Sequence, residues 1–143
     1  MNNVFIPSRI ALFLLLIVAS LSACKKPNDA APDAASSVAG NYTFSELSYN
    51  GKVVSAADAD LKGTINLTRQ SPTTVDMAVD LRAKSDDSEF IVDTANGVEV
   101  ADLGSGATAL RYKGNQVAQI KNSKLTISGK DENGISFSIT AAK

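Results

Sequence analysis

From Val75 to Lys84 the side chains alternate without a break. Val75, Met77, Val79, Leu81 and Ala83 fall on one face, and Asp76, Ala78, Asp80, Arg82 and Lys84 on the other. A period of two is incompatible with an amphipathic helix and specifies a strand with one face on a core and one in water. The same alternation recurs in 61–68, 125–128 and 135–141, and after Gly40 no stretch sustains a helical period; 55–61 allows at most one turn. Turn chemistry separates the runs: Asn50-Gly51, Ser71-Pro72, Asp86-Asp87, Asn96-Gly97, Gly104-Ser105-Gly106, Gly114-Asn115, Asn122-Ser123 and Asn133-Gly134. Such short connections make successive strands antiparallel hairpins. The fold class is therefore all-β, an antiparallel up-and-down meander of about eight strands. Closure into a barrel removes the exposed edges; a β-sandwich is the alternative. The expected inward set is Tyr42, Phe44, Leu47, Leu61, Ile65, Leu67, Val75, Met77, Val79, Leu81, Val98, Val100, Leu110, Tyr112, Leu125, Ile127, Ile135, Phe137 and Ile139.

Composition narrows the chemistry. The 143 residues include no His and no Trp, one Cys, and 14 basic against 15 acidic side chains. Ser/His/Asp and Cys/His arrangements, His-rich metal sites and an internal disulfide are excluded, and the even charge gives no bias toward nucleic acid. Asp58, Asp60, Asp86, Asp87 and Glu89 lack the spacing of a calcium loop, and read as loop solvation. Asp76 and Asp80, with Arg82 and Lys84 nearby, read as cross-strand ion pairing. Gly104-Ser105-Gly106 has neither the Lys nor the following helix of a phosphate cradle, so it is a hairpin tip. No catalytic residue, metal or cofactor is expected, and the chain reads as no enzyme.

The amino-terminal segment is an address. Ile10 to Ala19 is an uncharged apolar run preceded by Arg9. As a helix it reaches roughly 15 Å, about half the ~30 Å hydrocarbon core, which suits a secretory leader better than a span; a buried core helix is the alternative. Leu21-Ser22-Ala23-Cys24 resembles the lipobox of bacterial lipoproteins, an aliphatic residue, two small ones and a Cys. The resemblance implies a diacylglyceryl thioether on Cys24, cleavage between Ala23 and Cys24, and acylation (palmitate) of the new α-amino group. Ala23 would also suit ordinary signal cleavage, which would leave Cys24 an exposed thiol. Residues 1–23 are then the signal peptide.

Residues 24–39 read as the lipidated Cys and a tether. This stretch has no aromatic residue, and Pro27 and Pro32 interrupt its Ala-rich run, so it cannot offset its own ordering. Lys25 and Lys26 suit an anionic surface. By the same resemblance, the absence of Asp after Cys24 and of an acidic cluster there favours the outer membrane, facing the periplasm.

Residues 40–143 form the domain. Gly40-Asn41-Tyr42 at the start of the first strand, followed by a regular meander, is similar to the small lipocalin-like domains of bacterial lipoproteins, whose first strand opens Gly-x-Trp or Gly-x-Tyr. That resemblance implies a non-catalytic barrel binding a small apolar ligand. The shorter chain and the missing Trp argue against a large cavity, and a barrel of eight strands is just wide enough to be filled by its own side chains. A protein-interaction or inhibitor module with a filled core is the alternative, its partner an envelope protein. Tyr49, Tyr112 and Arg111 are candidates for a barrel mouth, or, alternatively, core caps. Finally, 58–102 holds ten acidic against four basic residues, and 111–143 six basic against two acidic. A closed meander sets those halves on opposite sides and gives the domain a dipole, unless interspersed strands cancel it.

Overall fold

A computed structural model describes residues 33–143. The leader, Ala23 and Cys24, and the tether up to residue 32 lie outside the described residues. The elements run α1 (Ala34–Val38), β1 (Gly40–Tyr49), β2 (Lys52–Ser55), β3 (Leu61–Ser71), β4 (Thr74–Ala83), β5 (Glu89–Gly104), β6 (Ala107–Tyr112), β7 (Asn115–Lys121), β8 (Lys124–Lys130) and β9 (Ser136–Ala142). From β3 to β9 each strand pairs antiparallel with the next, β1 pairs with β3, and β9 returns to pair with β1. The sheet is a closed eight-stranded up-and-down barrel with one extra strand, the architecture that the meander implied.

The extra strand has a simple origin. β2 pairs with the second half of β1 (Leu47 opposite Val54) and β3 with the first half (Tyr42 opposite Ile65), while β9 occupies the other edge of β1. β2 and β3 are thus two pieces of one barrel stave, interrupted at residues 56–60. Lys84 clamps the interruption, its ammonium donating to the carbonyls of Ala56 and, at 2.8 Å, Ala59.

Most hairpin turns fall where the sequence placed them, with left-handed backbone at Asn50-Gly51 and Asn122-Ser123, and the turn expected at Gly114-Asn115 sits one residue earlier, at Lys113-Gly114, as two-residue connections between twisted strands require. Asn96-Gly97 differs. It is not a turn but a bulge within β5, where the register against β4 slips between Val75/Val98 and Met77/Ala95. The Asp76 carboxylate accepts the Gly97 N–H at 3.0 Å and so replaces the lost ladder bond. The chain bends and continues, which leaves β5 sixteen residues long.

Inward side chains make one core. Tyr42, Ile65, Leu67, Val75, Leu81, Val98, Leu110, Leu125 and Ile139 are all but fully buried, and Phe44, Leu61, Met77, Val79 and Val100 nearly so. Leu47, Tyr112, Ile127 and Phe137 pack against this core but are only partly covered. Ile135 is a correction, since it lies in the β8–β9 turn and not in the core cluster. Ala59, Ala118, Ile120 and Ala141 join the core without having been expected there.

A second correction concerns the tether. Its last residues, 33–39, are ordered as the short helix α1 and its caps, with Ala35 and Val38 buried in the same cluster. Asp33 caps the helix by accepting the Ser36 N–H at 2.7 Å and grips Arg69 of β3 through both carboxylate oxygens, at 2.8 to 3.3 Å. The Ala35 N–H donates to the Pro72 carbonyl at 3.1 Å, and the buried Tyr42 hydroxyl donates to the Val38 carbonyl at 2.7 Å. Propensity gives five residues no reason to be helical in water. Tertiary docking onto β3, β4 and β5 supplies it.

Candidate functional site

The two ends of the barrel are unlike. At the end where β1 begins, α1 packs over β3, β4 and β5 as a partial plug, and the inward residues beneath it are buried. At the other end lie the turns at 50–51, 113–114 and 131–135. Opposed residues share a face, so the register identifies what points inward there. Tyr49 lies opposite Phe137 and Leu47 opposite Ile139; Ile127 lies opposite Ile139 and Gly129 opposite Phe137; Ile91 lies opposite Leu81. Tyr112 follows Leu110 by two residues and shares its face. Leu47, Ile91, Tyr112, Ile127 and Phe137 are half-buried and Tyr49 is 43% exposed. Together they are the part of the inward face left incompletely covered at this end, the mouth of the barrel, above a buried floor. Gly129 makes room in it: a Cβ there would stand 2.9 Å from the Phe137 ring.

The rim is polar and ordered by Asp131. Its Oδ1 accepts the N–H groups of Asn133 and Ile135 at 2.9 and 2.8 Å, and its Oδ2 accepts the Tyr49 hydroxyl at 2.6 Å. The Tyr49 bond first, then the two amides, hold the Asp131 carboxyl below the usual carboxylate range. The same carboxylate raises the Tyr49 phenol above its ordinary value. Of the three residues expected at a mouth, Tyr49 and Tyr112 are there. Arg111 is not: it lies opposite Glu99 on the outer face of β6, exposed.

The carboxylates are occupied structurally. Arg82 bonds Asp80 at 2.8 Å and reaches Glu89 at 3.6 Å, Lys62 pairs with Asp87 at 2.7 Å, and Asp60 accepts from Ser85. Asp76, expected in an ion pair, instead takes the Gln70 amide and the Gly97 N–H. Among the described residues no three His, Cys, Asp or Glu side chains converge as metal ligands would. Two concave patches stand out, one along β7–β8 (Gln116, Gln119, Lys121, Lys124) and one over β1, β8 and β9, where Ser48, Ser128, Lys130 and Ser138 are joined by Gly129 and Phe137 of the mouth. They are lined mainly by small or solvated polar groups. The strand order also sets β3–β5 across the barrel from β7–β9, so the acidic and basic halves of the sequence occupy opposite walls.

No family model matches the chain, and no curated protein or solved structure matches it either. The functional reading therefore rests on the residues themselves.

The sequence named most mouth residues as core. What it missed is that Leu47, Tyr112, Ile127 and Phe137 sit at the unplugged end. The only available signal was the position of each beside its turn, since residues next to Asn50, Lys113 and Asp131 must lie at one end of a meander.

Proposed function

We propose that the chain is a lipid-anchored, non-catalytic binding protein of the cell envelope, which takes the apolar end of a small ligand in the mouth of its barrel. The carrying observation is the burial gradient: six inward apolar side chains, Leu47, Tyr49, Ile91, Tyr112, Ile127 and Phe137, are left partly open at the end opposite α1. Apolar surface converging with a few placed polar groups is the usual make-up of a ligand site, and Tyr49 and Asp131 supply the polar groups. The filled floor sets the depth. An aromatic ring or the end of an acyl chain fits, and a ligand enclosed on all sides does not.

Anchoring follows from the lipobox-like Leu21-Ser22-Ala23-Cys24. Two or more acyl chains on Cys24 hold a protein in a bilayer, at about 0.8 kcal/mol per buried methylene.

Titration of the full chain in detergent with the apolar fluorophore N-phenyl-1-naphthylamine tests the site. Saturable enhancement at one site per chain is expected. Phe137→Ala should weaken it about tenfold, the loss of roughly 1.5 kcal/mol of apolar contact. Equal binding by Phe137→Ala would refute the mouth. For the anchor, Cys24→Ala should abolish both the acyl mass and membrane fractionation.

A further inference from the structure

The structure assigns a second binding site, independent of the mouth: the bare edge of β5 from Phe90 to Asn96 takes an extended, cationic segment of a partner protein as an added strand. β4 pairs with β5 from Glu89 to Glu99, but β6 pairs only with Glu99 to Gly104. β6 ends at Tyr112 and turns away through Lys113-Gly114. Among the described residues nothing pairs with the β6-side edge of β5 above Val98.

Backbone donors face that gap. The Thr94 N–H, which bonds no strand carbonyl, donates to the Asp93 Oδ1 at 2.7 Å. A side chain therefore stands in for a missing neighbour. Donors along a strand alternate between its two edges, so Val92 directs its N–H to the same side as Thr94, while Phe90 sits at the register shift opposite Leu81 and Arg82. An edge of this kind is a template for strand addition, in which main-chain bonds give affinity and alternate side chains give selectivity.

The side chains define the occupant. Val92, on the outer face, is 45% exposed, and Phe90, at the register shift beside it, is 50% exposed, enough to pack apolar residues of an incoming strand. On the inner face Asp93, opposite Val79, is exposed and has no cation within 4 Å among the described residues. Around them stand Glu89, Asp80, Asp86 and Asp87. The facing cations are Arg82, held by Asp80 and Glu89, Lys62, held by Asp87, and, at the foot of the gap, Arg111, opposite Glu99, and Lys113, over the Tyr112 ring. A second copy pairing edge to edge would set Asp93 and Glu89 against their own counterparts, the like-charge arrangement that protects natural edges. A strand alternating apolar and cationic residues meets Phe90 and Val92 with one face and neutralises Asp93 with the other.

The test uses the full chain in detergent and two fluorescein-labelled heptapeptides, Lys-Val-Lys-Val-Lys-Val-Lys and its Glu-for-Lys counterpart. Fluorescence anisotropy is expected to show binding of the Lys peptide alone, with hydrogen exchange slowed at 90–96. Val92→Pro removes one edge donor and should weaken binding at least tenfold. Asp93→Lys should reverse the preference toward the Glu peptide, and it guards against a Pro variant that fails to fold. Four results overturn the proposal: no binding of either peptide, equal binding of both, binding that leaves exchange at 90–96 unchanged, or self-association of the chain that Val92→Pro abolishes.

Discussion

Gly63→Ala should be the most damaging single methyl that can be added to this barrel. Gly63 is the third residue of β3, opposite Leu81 of β4, with φ +140°. A Cβ built there lies 1.9 Å from the Asp80 carbonyl oxygen, where ordinary contact needs roughly 3.5 Å. The obstacle is backbone, so β3 and β4 must part by more than an ångström. Left-handed backbone on a non-glycine residue costs about 1–3 kcal/mol, and each ladder bond lost about 1 kcal/mol more. A total of roughly 3–5 kcal/mol is a large share of the 5–15 kcal/mol that holds typical domains together. Gly114→Ala is the control, with φ +81° and nothing within 4 Å of its built Cβ; it carries only the conformational cost of about 1–2 kcal/mol. Urea unfolding followed by circular dichroism reads the difference. With a slope of about 2 kcal/mol per molar, Gly63→Ala should lower the midpoint by about 2 M and Gly114→Ala by under 1 M. Equal midpoints for the two variants would refute close strand approach as the reason for glycine at 63.

Other consequences are open to measurement. Tyr42→Phe leaves the Val38 carbonyl without its buried donor, so it should cost about 1–3 kcal/mol and speed hydrogen exchange at 34–38 well before the barrel opens. Arg69 first, then the Ser36 N–H, hold the Asp33 carboxyl well below its ordinary value. A depressed carboxyl contributes stability above its unfolded pKa, near 3.9, and that contribution is lost as pH falls through the folded value. α1 should therefore exchange slowly at pH 5 and loosen progressively below about pH 4, and Asp33→Asn should remove that dependence. Lys121 and Lys124 face each other across the β7–β8 hairpin, so Lys124→Glu should stabilise by about 0.2–1 kcal/mol, readable as a raised urea midpoint that added salt erases.

Much of the barrel was legible because β4 is a strict alternation. Val75, Met77, Val79 and Leu81 can only face one way, and once one strand is fixed the two-residue turns fix its neighbours. The departures have local causes. Asn96-Gly97 has turn chemistry, but a bulge uses the same residues, and the difference is made by Asp76, twenty-one positions away. Residues 33–39 look like tether because the apolar contacts that order Ala35 and Val38 come from β3, β4 and β5, which no local window sees. The mouth was half legible. Leu47, Ile127 and Phe137 were recognisable as inward, but that α1 plugs the other end, and so leaves these the open ones, depends on docking rather than on pattern.

The first and last staves of the barrel are neighbours, and the Ser45 hydroxyl reaches across 95 residues of sequence to the Thr140 carbonyl at 3.0 Å. Every other seam joins consecutive staves and can zip from its own turn, whereas this one must wait for the distant tail of the domain to come home. Loop closure over such a separation is slow and is rewarded only when it is complete. The seam between β1 and β9 thus acts as the latch of folding: until it shuts the sheet is a curling ribbon with two naked margins, vulnerable to misjoining, and afterwards a bare margin remains along the short stretch of β5 that β6 does not reach.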